Sequence, residues 1–252
     1  MRFAFSDDQL LLQGAVREFL RKECTPETVR ALWADARGHA PALWSRLAEL
    51  GVTGALVPEA QGGMGLDERD LVLLLEEVGR AALPGPIAVC AAVAAPLLRE
   101  LGGPLADHWL PRLAAGEAIV VVGHPANPFV TDAHLADLLL LAREGALYAV
   151  ERAAVRLVAQ PANDPGRRLA TVAWEPRDGT RVAEGAAAER LLAAALDRGA
   201  LACAAQLLGA ADRMIDLAVA YTSQRHQFGR PVGSFQAVQH QLADVKVRIE
   251  YA

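Results

Sequence analysis

Through the N-terminal part of the chain, apolar residues recur three or four positions apart, the spacing of one helix face, and each run has its own start or stop signal. Leu10, Leu11, Ala15, Val16 and Leu20 form the first face. It follows a Ser6 and Gln9 pair that reads as a capping box, in which each side chain satisfies a backbone group left free at the helix start. Thr25 with Pro26 predicts a second start, because proline loses nothing at a first helical position where its missing N–H has no partner. Pro41 opens a third helix with Leu43, Trp44, Leu47 and Leu50 on one side, and Gly51 is placed to end it. After the turn-rich VPEAQGGMGL, Asp67 is placed to cap a helix running to Ala82, and two more helices are expected around 87–101 and 105–115.

From Glu117 the period changes. Short apolar runs, IVVVG, LLLLA, LYAV, VRLVA and LATVAW, stand between Gly, Pro, Asn and Asp, the pattern of strands separated by turns. From residue 185 an alanine- and leucine-rich stretch, interrupted only by Gly199 and Gly209, predicts one long helix to Gln224. The turn FGRPVG follows. Ser234 is then placed to cap a helix still running at Ala252, with Phe235, Val238, Leu242, Val245 and Ile249 on one side, a face that wants a partner surface. The expected fold class is mostly α with a small β domain. Its division is a helical domain over 1–117, a reduced β domain over 118–184, and the first helices of a C-terminal helical domain over 185–252.

Composition excludes several functions. With 252 residues and 53% hydrophobic content the chain can bury a substantial core. Its net charge of -5 comes from 25 basic and 30 acidic residues scattered along the sequence, so no basic stripe offers itself to nucleic acid. Cys24, Cys90 and Cys203 lie far apart, which fits neither a disulfide framework nor a zinc site and points to a reducing, cytoplasmic setting. No signal-peptide run opens the chain, and the apolar stretch from Ile87 to Leu98 is shorter than the ~20 residues that span a bilayer, so a soluble protein with no membrane span is expected. His226 and His240 lack carboxylate or cysteine companions at ligand spacing, so no metal is expected.

The string YTSQRHQFGRPVGSFQAVQHQLADVK closely resembles the acyl-CoA dehydrogenase pattern at the start of that family's C-terminal helical domain. LWSRLAELGVTGALVPEAQGGMGL and then DLVLLLEEVGRAALPGP resemble the family's N-terminal helical domain, in order and at plausible spacing. The resemblance covers nearly the whole chain. It implies a helical, β and helical architecture, FAD at a subunit interface, and oxidation of an acyl-CoA thioester to the 2,3-enoyl product. A carboxylate removes the α-proton, the β-hydrogen leaves as hydride to the flavin, and hydrogen bonds to the thioester carbonyl stabilise the developing charge. The implied partners are an acyl-CoA substrate, acyl-CoA dehydrogenase-like subunits in a homo- or hetero-oligomer, and an electron-transfer flavoprotein as candidate acceptor.

Arg225, Gln227 and Phe228 match family positions that reach the FAD of a neighbouring subunit, and Gln236 matches a further FAD contact on the next helix. A planar, permanent cation suits pyrophosphate oxygens, although an arginine at a helix C-terminus also complements the helix dipole and caps free carbonyls. The middle of the chain departs from the family. VVVGHPANPFVTDAHLADLLLLA runs in a few residues between two landmarks that the family separates by a longer block. His124 and Pro125 stand near the family's Thr-Glu-Pro position, and Phe129, Val130, Thr131 and Asp132 near its flavin-packing Trp-Ile-Thr-Asn segment. Phe129 could stack on a flavin and Thr131 could donate a hydrogen bond, against the alternative of structural roles in a shortened strand.

The catalytic base is unassigned. The family places its glutamate either beyond the position of Ala252 or on the long helix at a position that aligns with Gly199, and Asp197 faces elsewhere, about 200 degrees around the helix. Three readings follow. The chain is a subunit that completes an active site in a homologous partner, a self-sufficient dehydrogenase with its base in a further C-terminal segment, or a helical scaffold that kept the fold and lost the chemistry.

Overall fold

The helices begin where side chains can satisfy their free N–H groups. In the computed structural model, which describes residues 4–252, Ser6 and Gln9 form the expected reciprocal box at the start of α1 (Asp7–Glu23). Thr25 caps α2 (Pro26–Ala34), and α3 (Pro41–Glu49) ends on Gly51. The Gly51 N–H reaches Ala48 O at 2.8 Å and the Val52 N–H reaches Leu47 O at 2.9 Å, a pairing that needs a left-handed residue; Gly51 has φ +81. Asp67 caps α4 (Glu68–Arg80), with Asp70 returning the bond to the Asp67 N–H.

Several expectations are corrected. On α1, Leu10, Leu11 and Ala15 are exposed, Leu11 by 75%, while Val16 and Leu20 are buried. The helix is rotated because its polar positions have partners on α4. Gln9 donates to Asp70 at 2.6 Å, Gln13 donates to Glu77 at 3.0 Å, and Arg17 holds both oxygens of Glu77, which is 3% exposed. The helix expected around 87–101 is present over that range, with a π-helical turn, Val89–Ala94, running into α5 (Ala95–Leu101). Pro96 removes a backbone donor at that junction, and a wider turn accommodates the loss. Helix α6 spans Gly103–Ala114.

Strands β1 (Val120–Gly123), β3 (Leu138–Arg143), β4 (Ala146–Glu151) and β7 (Arg181–Glu184) form one sheet in the order β1-β3-β4-β7. Its first pair is parallel and the others antiparallel. A second, antiparallel sheet, β2-β6-β5, contains β2 (Val130–Thr131), β5 (Arg156–Gln160) and β6 (Leu169–Ala173). The buried run Leu138–Leu141 of β3 and Val120 and Val121 of β1 join the helical core through Cys90 on the π-helical turn, whose thiol donates to Val120 O at 3.1 Å.

Helix α7 runs from Gly185 to Gln224, as the sequence predicts. By length and composition it could cross a membrane. In this fold it packs along α4 and carries Arg198, Asp212 and Asp216 in ion pairs with α4 and α5. The α4–α7 crossing is backbone on backbone. A Cβ at Gly209 would lie 1.8 Å from Glu76 O, and one at Gly79 would lie 2.0 Å from Gln206 O. After α7 come a hairpin of β8 (His226–Gln227) and β9 (Arg230–Pro231), then α8 (Gln236–Glu250). Ser234 does not cap α8. Its hydroxyl donates to Pro231 O at 2.7 Å within a 3-10 turn, and Phe235 takes the N-cap position.

Candidate functional site

The hairpin between α7 and α8 carries three of the sequence-selected residues, and Gln236 opens the next helix. Strands β8 and β9 pair His226 with Pro231 and Gln227 with Arg230, leaving Phe228 and Gly229 as a two-residue loop. Both have positive φ, +53 and +79, the signature of a type I′ turn. Glycine accepts that geometry, whereas phenylalanine at φ +53 is strained, and such outliers persist where the surroundings over-determine them. Phe228 is 91% exposed, and its ring meets that of Phe235 edge-on with centroids 6.2 Å apart. Arg230 stacks on the other ring of that pair, 4.1 Å from the Phe235 centroid, and stiffens the loop.

Arg225 is the hinge of this unit. Its N–H donates to Tyr221 O at 2.8 Å, ending α7, and its carbonyl accepts from the Val232 N–H at 2.7 Å, closing the hairpin. The side chain is exposed and joins no ion pair among the described residues. Gln227 and Gln236 are exposed on the same hairpin and helix start. The surface offers a permanent cation, two amides and an aromatic face, a set suited to a phosphate-bearing aromatic ligand.

Phe129 and Thr131 belong to a different element. The Phe129 N–H donates to Asn127 Oδ1 at 3.0 Å, and Thr131 pairs across β2 and β6 with Leu169. Both are half-buried, and β2 contacts β6 and β1.

Gly199 lies on α7 facing the π-helical turn, where an added Cβ would meet Val93 Cγ2 at 3.8 Å. No carboxylate stands at this position, and Asp197 is exposed. The adjoining cavity, lined in part by Leu75, Ala92, Arg198 and Ala202, measures about 10 Å³, at the lower limit for one water molecule. Arg198 closes it. Its Nε donates to Glu68 on α4 at 3.2 Å and its Nη2 to Glu100 on α5 at 2.5 Å, while Nη1 is buried without a partner. A space of that size does not hold an acyl chain.

Asp132 escaped the sequence reading as a titrating group, although a carboxylate following the apolar VT was the available signal. It is 4% exposed, has φ +55, and its N–H donates to Arg168 O at 2.8 Å. Burial pushes its carboxyl up to about 7, opposed by Arg167 and Arg168. Arg168 in turn clasps the C-terminal end of α2, donating to Leu32, Trp33 and Asp35 carbonyls, and His134 bonds Arg37 O at 2.7 Å. His39 in the same connection is held below its ordinary value by burial, with Arg37 and His134 adding repulsion.

A pH dependence follows from Asp132. Because the folded state holds this proton more tightly than the unfolded chain, the contribution is fully present below about pH 4 and is lost as pH rises through about 7. Asp132→Asn should therefore raise the thermal midpoint at about pH 8 and flatten its decline from about pH 5. A variant whose melting profile over that range matches the wild-type one would show that Asp132 titrates normally.

Two family models match the chain: acyl-CoA dehydrogenase, N-terminal domain, over residues 6–117, and acyl-CoA dehydrogenase, C-terminal domain, over 189–252. The chain belongs to the acyl-CoA dehydrogenase family. It is 35% identical over 249 residues to the acyl-CoA dehydrogenase IpdE2 of Mycolicibacterium smegmatis, covering 98% of this chain and 75% of that protein. With the IpdE2 of Mycobacterium tuberculosis it shares 34% over 98% of this chain and 73% of the relative. Among solved structures it superposes on a variant of the Tcur3481-Tcur3483 steroid ACAD with a TM-score of 0.86 at 29% identity, covering 97% of this chain and 74% of that one. The ChsE4-ChsE5 complex from Mycobacterium tuberculosis gives 0.85 at 25%, covering 99% and 76%.

The two acyl-CoA dehydrogenase matches flank the β-rich interval, where the sequence departs from the family pattern. The structure gives that departure a form. Strand β2 is two residues long and pairs with β6 soon after the loop that carries His124. Arg198 and Arg168 are residues that sequence reasoning missed, because their partners lie far away in the chain, and for Asp132 it missed the burial.

Proposed function

We propose that this chain is a subunit of an FAD-dependent acyl-CoA dehydrogenase that presents its Arg225 hairpin to a cofactor shared with a homologous partner and leaves proton abstraction to that partner. The observation that carries the reading is the contrast between two places on α7. The hairpin at its end carries an exposed Arg225 that joins no ion pair among the described residues, while position 199 has no carboxylate.

The cofactor is FAD, which when bound supplies the hydride acceptor for oxidation of the acyl-CoA. The residues of this chain fit one side of such a group. Arg225 would neutralise pyrophosphate oxygens, Gln227 and Gln236 would supply amide hydrogen bonds, and Phe228 would cover an aromatic surface. Phe129 and Thr131 are assigned to the flavin side of the shortened β part. The three-part division into 1–117, 118–184 and 185–252 carries over with this reading. So does a cytoplasmic setting, with an electron-transfer flavoprotein as the acceptor of the electrons. The steroid ACAD among the similar structures favours an acyl-CoA from steroid or related lipid breakdown.

A second subunit also has a surface to cover. Leu207, Met214, Leu217 and Tyr221 of α7 and Val245 and Val247 of α8 are exposed apolar side chains that a second subunit could cover. Light scattering at micromolar concentration should show a dimer or larger species. A clean monomer in the presence of the partner would count against the reading.

The deciding experiment is purification with and without a co-expressed homologous subunit. Flavin absorbance should appear with the partner. A yellow chain with turnover by itself would favour a self-sufficient enzyme, and a colourless one in both cases a scaffold. In the flavin-bearing complex, Arg225→Ala should weaken FAD binding roughly ten- to a hundredfold, the equivalent of a charge-assisted bond worth ~1.5–3 kcal/mol. Unchanged affinity with the fold intact would remove Arg225 from the cofactor site.

A further inference from the structure

The hairpin is held at two ends, and only the nearer end belongs to it. At the near end the Val232 N–H closes on Arg225 O, and Gly233 packs on α7 closely enough that a Cβ there would lie 3.2 Å from Thr222 O. From that point α8 extends back along α7 with no fully buried residue, and Val238, Leu242 and Ile249 are only half-buried.

At the far end one carboxylate ties three helices. Arg80, at the end of α4, donates from Nη1 to Asp212 and from Nη2 to Asp216, both on α7. Lys246 of α8 donates to the other oxygen of Asp212 at 2.9 Å and to Glu250 at 2.7 Å. Asp212 thus gives one oxygen to α4 and the other to α8. It is 30% exposed and Arg80 is 24% exposed, so the network is less screened than an isolated surface pair. Asp212 lies about 20 Å along the helix from Arg225, at 1.5 Å per residue, too far to touch anything bound at the hairpin.

We propose that Asp212 is a positioning residue for the hairpin: through Lys246 and Arg80 it sets the angle of α8 on α7, and so the placement of Gln236 relative to Arg225, Gln227 and Phe228. The consequence for cofactor binding rests on the flavin reading above, whereas the mechanical coupling does not. Neutralising Asp212 releases Lys246 from α7 and leaves Arg80 held by Asp216 alone. Helix α8 then pivots about Val232–Phe235, and the hairpin samples orientations that no longer match a bound FAD.

The test compares Asp212→Asn, Asp212→Glu and Lys246→Met in the full chain, assembled with its partner, with Arg225→Ala as the reference for direct contact. Hydrogen–deuterium exchange is read over 225–250 and over α4, and the FAD dissociation constant by flavin fluorescence. Asp212→Asn and Lys246→Met should speed exchange at the hairpin and α8 about tenfold while α4 changes little. They should weaken FAD three- to tenfold, roughly, and Asp212→Glu should restore both to within about twofold. If Arg225→Ala weakens FAD and Asp212→Asn does not, or if exchange over 225–250 is unchanged, the positioning role is overturned and the network is only a cross-tie. If exchange rises as expected but neither Asp212→Asn nor Arg225→Ala affects FAD, the mechanical coupling stands and the flavin reading falls.

Discussion

The 252 residues assayed by themselves should reduce a dye acceptor with acyl-CoA thioesters at a rate at least two orders of magnitude below that of the assembled complex. A positioned acid–base group contributes about 10²–10⁴-fold, and no such group stands at position 199. The nearest carboxylate, Asp197, is exposed and about 200 degrees around the helix, directed away from Gly199. Restoring activity should require a partner subunit, or a further C-terminal segment, that brings a glutamate to the α-carbon. Turnover by this chain at the rate of the complex would overturn the subunit reading, and Asp197→Asn would then be the variant to measure first.

The second large effect is on stability. Gly209→Ala should destabilise the protein by ~3 kcal/mol and lower its thermal midpoint by roughly 6–12 °C. The sign is what makes the measurement informative. In an exposed helix, alanine in place of glycine stabilises by about 0.5–1 kcal/mol, because it restricts the unfolded chain. Gly14, on α1 with no atom within 4 Å of an added Cβ, should behave in that way. At Gly209 the Cβ meets the Glu76 carbonyl at 1.8 Å and can be admitted only if α7 lifts off α4. That displacement would strain the contacts of Asp212 and Asp216 with Arg80, about one and two turns further on. Gly79→Ala probes the same contact from α4. If both glycines tolerate alanine without loss, the helices do not meet backbone to backbone.

The sequence by itself determined the elements whose causes are local. Ser6 with Gln9, Thr25 with Pro26, and Asp67 sit within three residues of the groups they satisfy, and the structure has all three caps. The long alanine-rich helix and the strand runs were legible for the same reason. The Arg225–Phe228 motif was legible as a family pattern. Its exposure and strained turn depend on Gly229 and on a closure between Arg225 and Val232 that periodicity does not encode.

Tertiary structure decided whatever depends on a distant partner. Nothing near Leu10 and Leu11 reveals that α1 turns them to solvent; Asp70 and Glu77 do so by capturing Gln9 and Gln13 from another helix. Gly14 and Gly209 look alike in sequence, and only the second lies under a carbonyl of α4. The raised proton affinity of Asp132 comes from its burial, and the pairing of Arg198 from two glutamates on α4 and α5, neither of which is local in sequence. A side chain's local preference is a property of its neighbours in sequence. Its charge state, its exposure and the space around it are set by neighbours in three dimensions.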